Sequence, residues 1–164
     1  MRALLCACAF ALCAPAAAVE PGAPAPSLAA RALDERAPAV DLAKLRGSVV
    51  YVDFWASWCV PCRLSMPALE ALYRKHRGRG FAVVGVNKDV APAEAERFLK
   101  RIPVSFALAQ DREDAFARAF DVKAMPSGYL IDRKGVVRRV HRGFTEETPA
   151  ALEREIEELL KEPT

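Results

Sequence analysis

The sequence predicts an α/β domain built on a central mixed β-sheet with helices on both faces. Two apolar segments rich in β-branched residues, "SVVYVDF" (48–54) and "FAVVGVN" (81–87), read as strands buried on both sides. A segment with helical spacing follows each of them, and this alternation is the pattern of a mainly parallel sheet. Near the C-terminus "SGYLID" and "GVVRRVHRG" flank Arg133-Lys134-Gly135, a turn signal that adds an antiparallel hairpin.

The elements follow in chain order. Arg2, the apolar run Ala3 to Ala14, Pro15 and three alanines have the layout of a secretory signal, with cleavage expected after Ala18. The run is shorter than the roughly 20 residues that span a bilayer, so an uncleaved membrane anchor is the alternative. Residues 19–27, "VEPGAPAPS", read as a flexible lead, and the domain is expected over 28–162. Apolar pieces at 28–30 and 40–42 flank "DERAP" and suggest a hairpin. After the strand at 48–54, a helix from Pro61 carries Leu64, Leu69, Leu72 and Tyr73 at helical spacing and ends in "HRGRG"; Pro67 should kink it. Beyond the strand at 81–87, "PAEAERFLKRI" (92–102) reads as a helix with Pro92 in its first turn. A short strand (105–109), a short helix (113–120) and the hairpin come next. The last helix, 148–160, has Thr148 as a candidate cap, Pro149 in the first turn, and a stripe of Leu152, Ile156, Leu159 and Leu160.

Cleavage after Ala18 leaves 146 of the 164 residues, enough for one domain with a real core. The formal net charge of +3 falls to about +2, with both signs interleaved, which argues against nucleic-acid binding. We expect a monomer. Three of the five cysteines leave with the signal, so Cys59 and Cys62 have only each other as thiol partners. A bridge closing so short a loop adds little stability, and the pair is better read as chemical than structural.

A Cys-x-x-Cys between a buried strand and a helix has a specific use. The first cysteine lands at the helix N-terminus, where free backbone N–H groups and the dipole favour a thiolate. Cys59 is thus the expected nucleophile, and Cys62, one turn deeper, the resolving thiol. Asp53 interrupts an apolar strand; burial should raise its pKa toward working pH, as a general base for Cys62 needs. The competing reading is an aspartate that caps a neighbouring turn. Zinc is the rival from another class, through Cys59, Cys62, His76 and His141. Those histidines lie 65 positions apart among basic residues, where surface placement is the default, so we expect no metal and no cofactor.

"VDFWASWCVPC", with Pro67 five positions after Cys62, resembles the active-site segment of the thioredoxin superfamily. Length, signal, N-terminal hairpin and an inserted helix and strand (about 92–108) make the chain most similar to the TlpA/ResA-like periplasmic thiol-disulfide oxidoreductases, from about Leu28 to Leu160. The resemblance implies a thioredoxin-like fold with Pro61 and Pro67 structural at the site. It also implies a cis bond at Met125-Pro126, where Met125 presents its backbone to the substrate chain. Trp58, Met125 and Pro126 are then the candidate substrate-binding residues. Many members of the subgroup carry Glu three residues after the second cysteine; here Ser65 stands there, which leaves Asp53 as the tuning carboxylate. Pro61 offers no N–H to the thiolate, and a less stabilised thiolate makes a more reducing couple. The expected function is an extracytoplasmic reductase of disulfide-containing client proteins, resupplied with electrons by a membrane thiol carrier of the DsbD/CcdA kind. The alternative is a thiol partner or copper-delivery protein for one metalloprotein, cytochrome c maturation included.

Overall fold

The computed structural model describes residues 19–26 and 29–163. The expected signal segment, 1–18, lies outside the described residues. A two-stranded antiparallel hairpin of β1 (Ala29–Ala30) and β2 (Val40–Asp41) opens the domain. A five-stranded sheet follows, in the order β5-β4-β3-β6-β7. Its strands are β3 (Val49–Trp55), β4 (Phe81–Asn87), β5 (Ala107–Gln110), β6 (Ser127–Ile131) and β7 (Val137–Arg142). The pairs β3–β4 and β4–β5 are parallel, while β6 and β7 add antiparallel strands on the other side of β3. The sheet is therefore mixed, as expected.

All seven residues of β3 are buried, because it is central and covered on both faces. Its alternation sorts side chains onto two cores. Val49, Tyr51 and Trp55 pack with α1 (Cys62–His76), α2 (Pro92–Arg101) and α4 (Thr148–Lys161). Val50, Val52 and Phe54 pack on the opposite face with Phe116 and Phe120 of α3 (Ala115–Ala119) and its end, and with Val40 and Leu42 beside the hairpin. Phe54, Phe120 and Tyr129 form a ring cluster with centroids 4.8 to 5.9 Å apart, Tyr129 meeting both phenylalanines edge-on. Burying each such ring contributes about 1.5–3 kcal/mol.

Helix α1 buries Cys62, Ser65, Met66, Leu69, Leu72 and His76 along one face. Leu64, one of the leucines at helical spacing, falls off that stripe and is 56% exposed. The helix runs through Pro67. The carbonyl that Pro67 cannot pair is that of Arg63, in the exposed first turn, where water can serve it. Gly80, at φ 87°, makes the left-handed turn that starts β4. Thr148 is the first residue of α4 rather than its cap: Glu147 holds the cap position, and Thr148 Oγ1 accepts from the Thr145 N–H at 2.9 Å.

Residues 19–26 correct the expectation of a flexible lead. Gly22 N–H donates to Val137 O at 2.8 Å, Val137 N–H to Ala23 O at 2.9 Å, and Ala25 N–H to Gly135 O at 2.9 Å. Val19 is buried, and Glu20 pairs with Arg142 at 3.1 Å. An edge strand presents unpaired backbone groups, and this segment satisfies those at the start of β7.

Candidate active site

The C-terminal ends of the parallel strands β3 and β4 carry the site. From β3 the chain runs through Ala56-Ser57-Trp58 to Cys59, whose N–H donates to Ala56 O at 3.1 Å. Helix α1 begins at Cys62, so Cys59 stands just ahead of the first turn rather than within it. The two sulfurs are bonded and the Cα atoms lie 5.3 Å apart. Cys59 Sγ accepts from the Cys62 N–H at 3.3 Å, which gives it the first free donor of the helix. Pro61 between them has no N–H to add. Cys59 is 4% exposed and Cys62 fully buried, the order expected of an outer and an inner sulfur.

Asp53 shares the face of β3 that carries Tyr51 and Trp55, which pack in one cluster with Cys59, Cys62 and Met66. It is 1% exposed, and its Oδ2 has no hydrogen-bond partner among the described residues. Burial pushes its carboxyl well above the usual carboxylate range. Asp53 therefore caps no turn with that oxygen. Ser65 is buried and donates to Cys62 O at 3.3 Å, so no charge enters there.

The Met125–Pro126 bond is cis, as the resemblance implies. Pro126 is buried and its carbonyl accepts from the Gly143 N–H at 2.9 Å; Met125 is partly buried against the cluster that holds both cysteines. Pro61 is half-buried at the start of α1 and Pro67 exposed. Trp55 is fully buried, whereas Trp58 is 63% exposed, and Val60 at 68% joins Trp58 and Leu64 as exposed apolar residues of the active-site loop and first turn.

Two features escaped the sequence. Asp89, fully buried after β4, accepts from the Ser57 N–H with both oxygens at 3.1 Å, from Ser57 Oγ at 2.9 Å and from Asn87 Nδ2 at 2.9 Å. It ties the loop before Cys59 to the end of β4; the polar triplet "NKD" closing an apolar strand was the available signal. The second is the surroundings of the histidines, which correct their expected surface placement. His76 is fully buried, with Nε2 3.1 Å from Glu153 Oε1, and sits at the far end of α1 from Cys62. His141 is largely buried and contacts Tyr51 and Glu155. Neither reaches the cysteines, so the residues of the zinc reading are not brought together. His76, Glu153 and Glu157 do converge, but Lys75 already neutralises Glu153 at 2.6 Å.

The redoxin family profile matches residues 20–160, nearly the whole described chain. The chain belongs to the redoxin family. Among relatives of this redoxin is the thiol-disulfide oxidoreductase ResA of Geobacillus kaustophilus, 31% identical over 72% of this chain and 67% of its own. ResA of Geobacillus thermodenitrificans is 32% identical over 62% of this chain and 59% of its own. The chain thus spans about two thirds, or less, of the length of these relatives. A solved Chlorobium tepidum structure, provisionally named thiol:disulfide interchange protein DsbE, superposes with a TM-score of 0.83 at 40% identity, covering 87% of this chain and 99% of that one. A thioredoxin-family thiol:disulfide interchange protein of Chlorobium tepidum TLS gives 0.75 at 25%, covering 88% and 99%. Fold, relatives and cysteine pair agree: this redoxin is a TlpA/ResA-like thiol-disulfide oxidoreductase of the thioredoxin superfamily, and its chemistry is dithiol–disulfide exchange at Cys59 and Cys62.

Proposed function

We propose that this redoxin works as a reductase of disulfides in client proteins, outside the cytoplasm after removal of residues 1–18, with Cys59 as nucleophile, Cys62 as resolving thiol and Asp53 as the base. The observation that carries the reading is the buried Asp53 carboxyl, whose Oδ2 has no hydrogen-bond partner among the described residues, on the face that holds the cysteine pair. The Cys59 thiolate attacks one sulfur of the client disulfide, and the other leaves as a thiolate. Cys62 then gives its proton to Asp53 and attacks Cys59 Sγ. The client's second thiolate departs, two electrons have moved to the client, and the pair is left as the disulfide. A carboxylate that prefers its neutral form accepts a thiol proton at little electrostatic cost in a dry site.

The direction rests on donors at the outer sulfur. Cys62 N–H is the backbone donor on Cys59 Sγ, and Pro61 supplies none. A thiolate with few donors is less stabilised, so the dithiol gives up electrons readily. Trp58, Val60 and Leu64 offer apolar surface to an extended client segment, and the backbone of Met125, fixed beside Pro126, offers it a strand-like pairing. A monomer suffices for these steps, and electrons return through a membrane thiol carrier of the DsbD/CcdA kind.

Trapping in cells tests the roles. Cys62→Ser should accumulate mixed disulfides with clients, because nothing resolves them, and Cys59→Ser should not. Equal trapping by both variants contradicts the assignment.

A further inference from the structure

Asp53, Gly128 and His141 stand in one row across β3, β6 and β7: Gly128 pairs with Asp53 on one side and with His141 on the other. Glycine leaves a slot in that row, and the Tyr51 phenol fills it. A Cβ at Gly128 would overlap the Tyr51 hydroxyl, so the phenol oxygen occupies the place where a side chain at 128 would begin. Directly opposed residues of an antiparallel pair have Cβ atoms about 4.5–5.5 Å apart, which puts that oxygen near the Asp53 carboxyl, close enough for the Asp53 charge to act on the phenol although Oδ2 makes no hydrogen bond among the described residues. On its other side the Tyr51 hydroxyl is 3.2 Å from His141 Nδ1, with ring centroids 5.8 Å apart. His141 Nε2 lies 3.0 Å from Glu155 Oε2 of α4; that oxygen is buried, but the two side chains are 19% and 22% exposed, so solvent reaches other atoms of both.

We propose that Tyr51 and His141 are relay residues that carry the proton between Asp53 and solvent at Glu155. The inference rests on the reading of Asp53 as the base for Cys62. Asp53 is sealed in and burial favours its neutral form, so in the reduced protein it must lose its own proton to solvent before it can take that of Cys62. The Tyr51 hydroxyl accepts the Asp53 proton as it donates its own to His141 Nδ1; the Nε2 proton passes to Glu155 or water, and exchange with solvent restores the imidazole. Burial, then the charges of Asp53 and Glu155, hold the phenol well above its usual range, so Tyr51 passes a proton only by accepting one at the same time. The charged and titratable groups around this row are Asp53 from β3, Arg139 from β7 (Nε 3.4 Å from Glu155 Oε1), Glu155 from α4 and Cys62 at the buried end; β6 contributes Gly128 and no charge.

The test uses the reduced protein and dithiobis-nitrobenzoate, an aromatic disulfide whose thiolate absorbs visible light. Attack by Cys59 releases one thiolate, and resolution by Cys62 releases the second. Tyr51→Phe, His141→Gln and His141→Ala should leave the first release unchanged and slow the second by about tenfold or more near neutral pH, the scale of one lost proton-transfer group. Added imidazole should restore the second release in His141→Ala, which a merely structural loss would not allow. A second release with wild-type rate and pH profile in Tyr51→Phe and His141→Gln, or a slowed His141→Ala that imidazole does not restore, overturns the relay. Asp53→Asn, run alongside, separates the two readings. If it slows the second release while the relay variants do not, only the relay fails; if it has no effect, the base assignment fails as well.

Discussion

Asp89 holds Ser57 by backbone and side chain at once: both carboxylate oxygens accept from the Ser57 N–H at 3.1 Å, and Oδ1 accepts from its hydroxyl at 2.9 Å. Two residues further on stands Cys59, so the carboxylate fixes the approach of the attacking sulfur from the neighbouring strand. Hydrogen bonds to a charged group contribute about 1.5–3 kcal/mol each. Asp89→Ala should lower the unfolding free energy by about 2–4 kcal/mol, as for other broken buried networks, and slow attack by Cys59. Urea titration and the rate of the first exchange step check both. Wild-type stability in the variant contradicts the brace.

Asp53 should depress stability in a pH-dependent way. Its carboxyl, near 3.8 when unfolded, is pushed up by burial in the fold. Between those two values the folded state binds more protons than the unfolded one, so this group's contribution falls as pH rises through the window and the penalty is complete above the folded value. Asp53→Asn should therefore match wild type at acid pH and exceed it at neutral pH by about 1–3 kcal/mol, the usual cost of a buried polar group without a partner. Urea midpoints at two pH values decide it; an equal difference at both would remove the buried-carboxylate account.

Trp58 should act on client binding. An exposed indole beside the attacking cysteine buries area only when a client docks, and such anchors contribute 1 kcal/mol or more, roughly a five- to tenfold change in affinity. Trp58→Ala should raise KM for a protein client by about that factor and change kcat less. A fall in kcat at constant KM would place Trp58 in the chemistry instead.

Gly128→Ala should expel the Tyr51 phenol from its slot. Overpacking of this kind costs about 1–3 kcal/mol, and the loss should shrink in the double variant with Tyr51→Ala, which removes the overlapping hydroxyl and the ring atoms next to it. Additive losses in the urea-derived cycle would mean that the two side chains do not meet.

The parts legible in sequence are those whose physics is local. Strands β3 and β4 read as continuous apolar runs because both faces of a central parallel strand are covered, and Cys59 and Cys62 declare themselves by spacing and by their place between strand and helix. Residues 19–26 were illegible because backbone pairing to β7 leaves no trace in a Pro/Ala/Gly-rich segment. His76 and Asp89 are polar residues buried only because Glu153 and Ser57 come from elsewhere in the chain. Leu64 misled for the opposite reason: it fits a helical stripe but joins Trp58 on the exposed rim. The row from Asp53 to His141 depends on strand register, which the hairpin's sequence does not fix across three strands.

The central claim is a reductase built on Cys59 and Cys62, and the reduction potential of that pair tests it most directly. The protein lacking residues 1–18 is equilibrated with dithiothreitol or glutathione buffers, and free thiols are read by a labelling gel shift. A value near that of thioredoxin, about −270 mV or lower, is the predicted result; a value near the strong oxidants, about −120 mV, would contradict it and make disulfide formation the direction of flow.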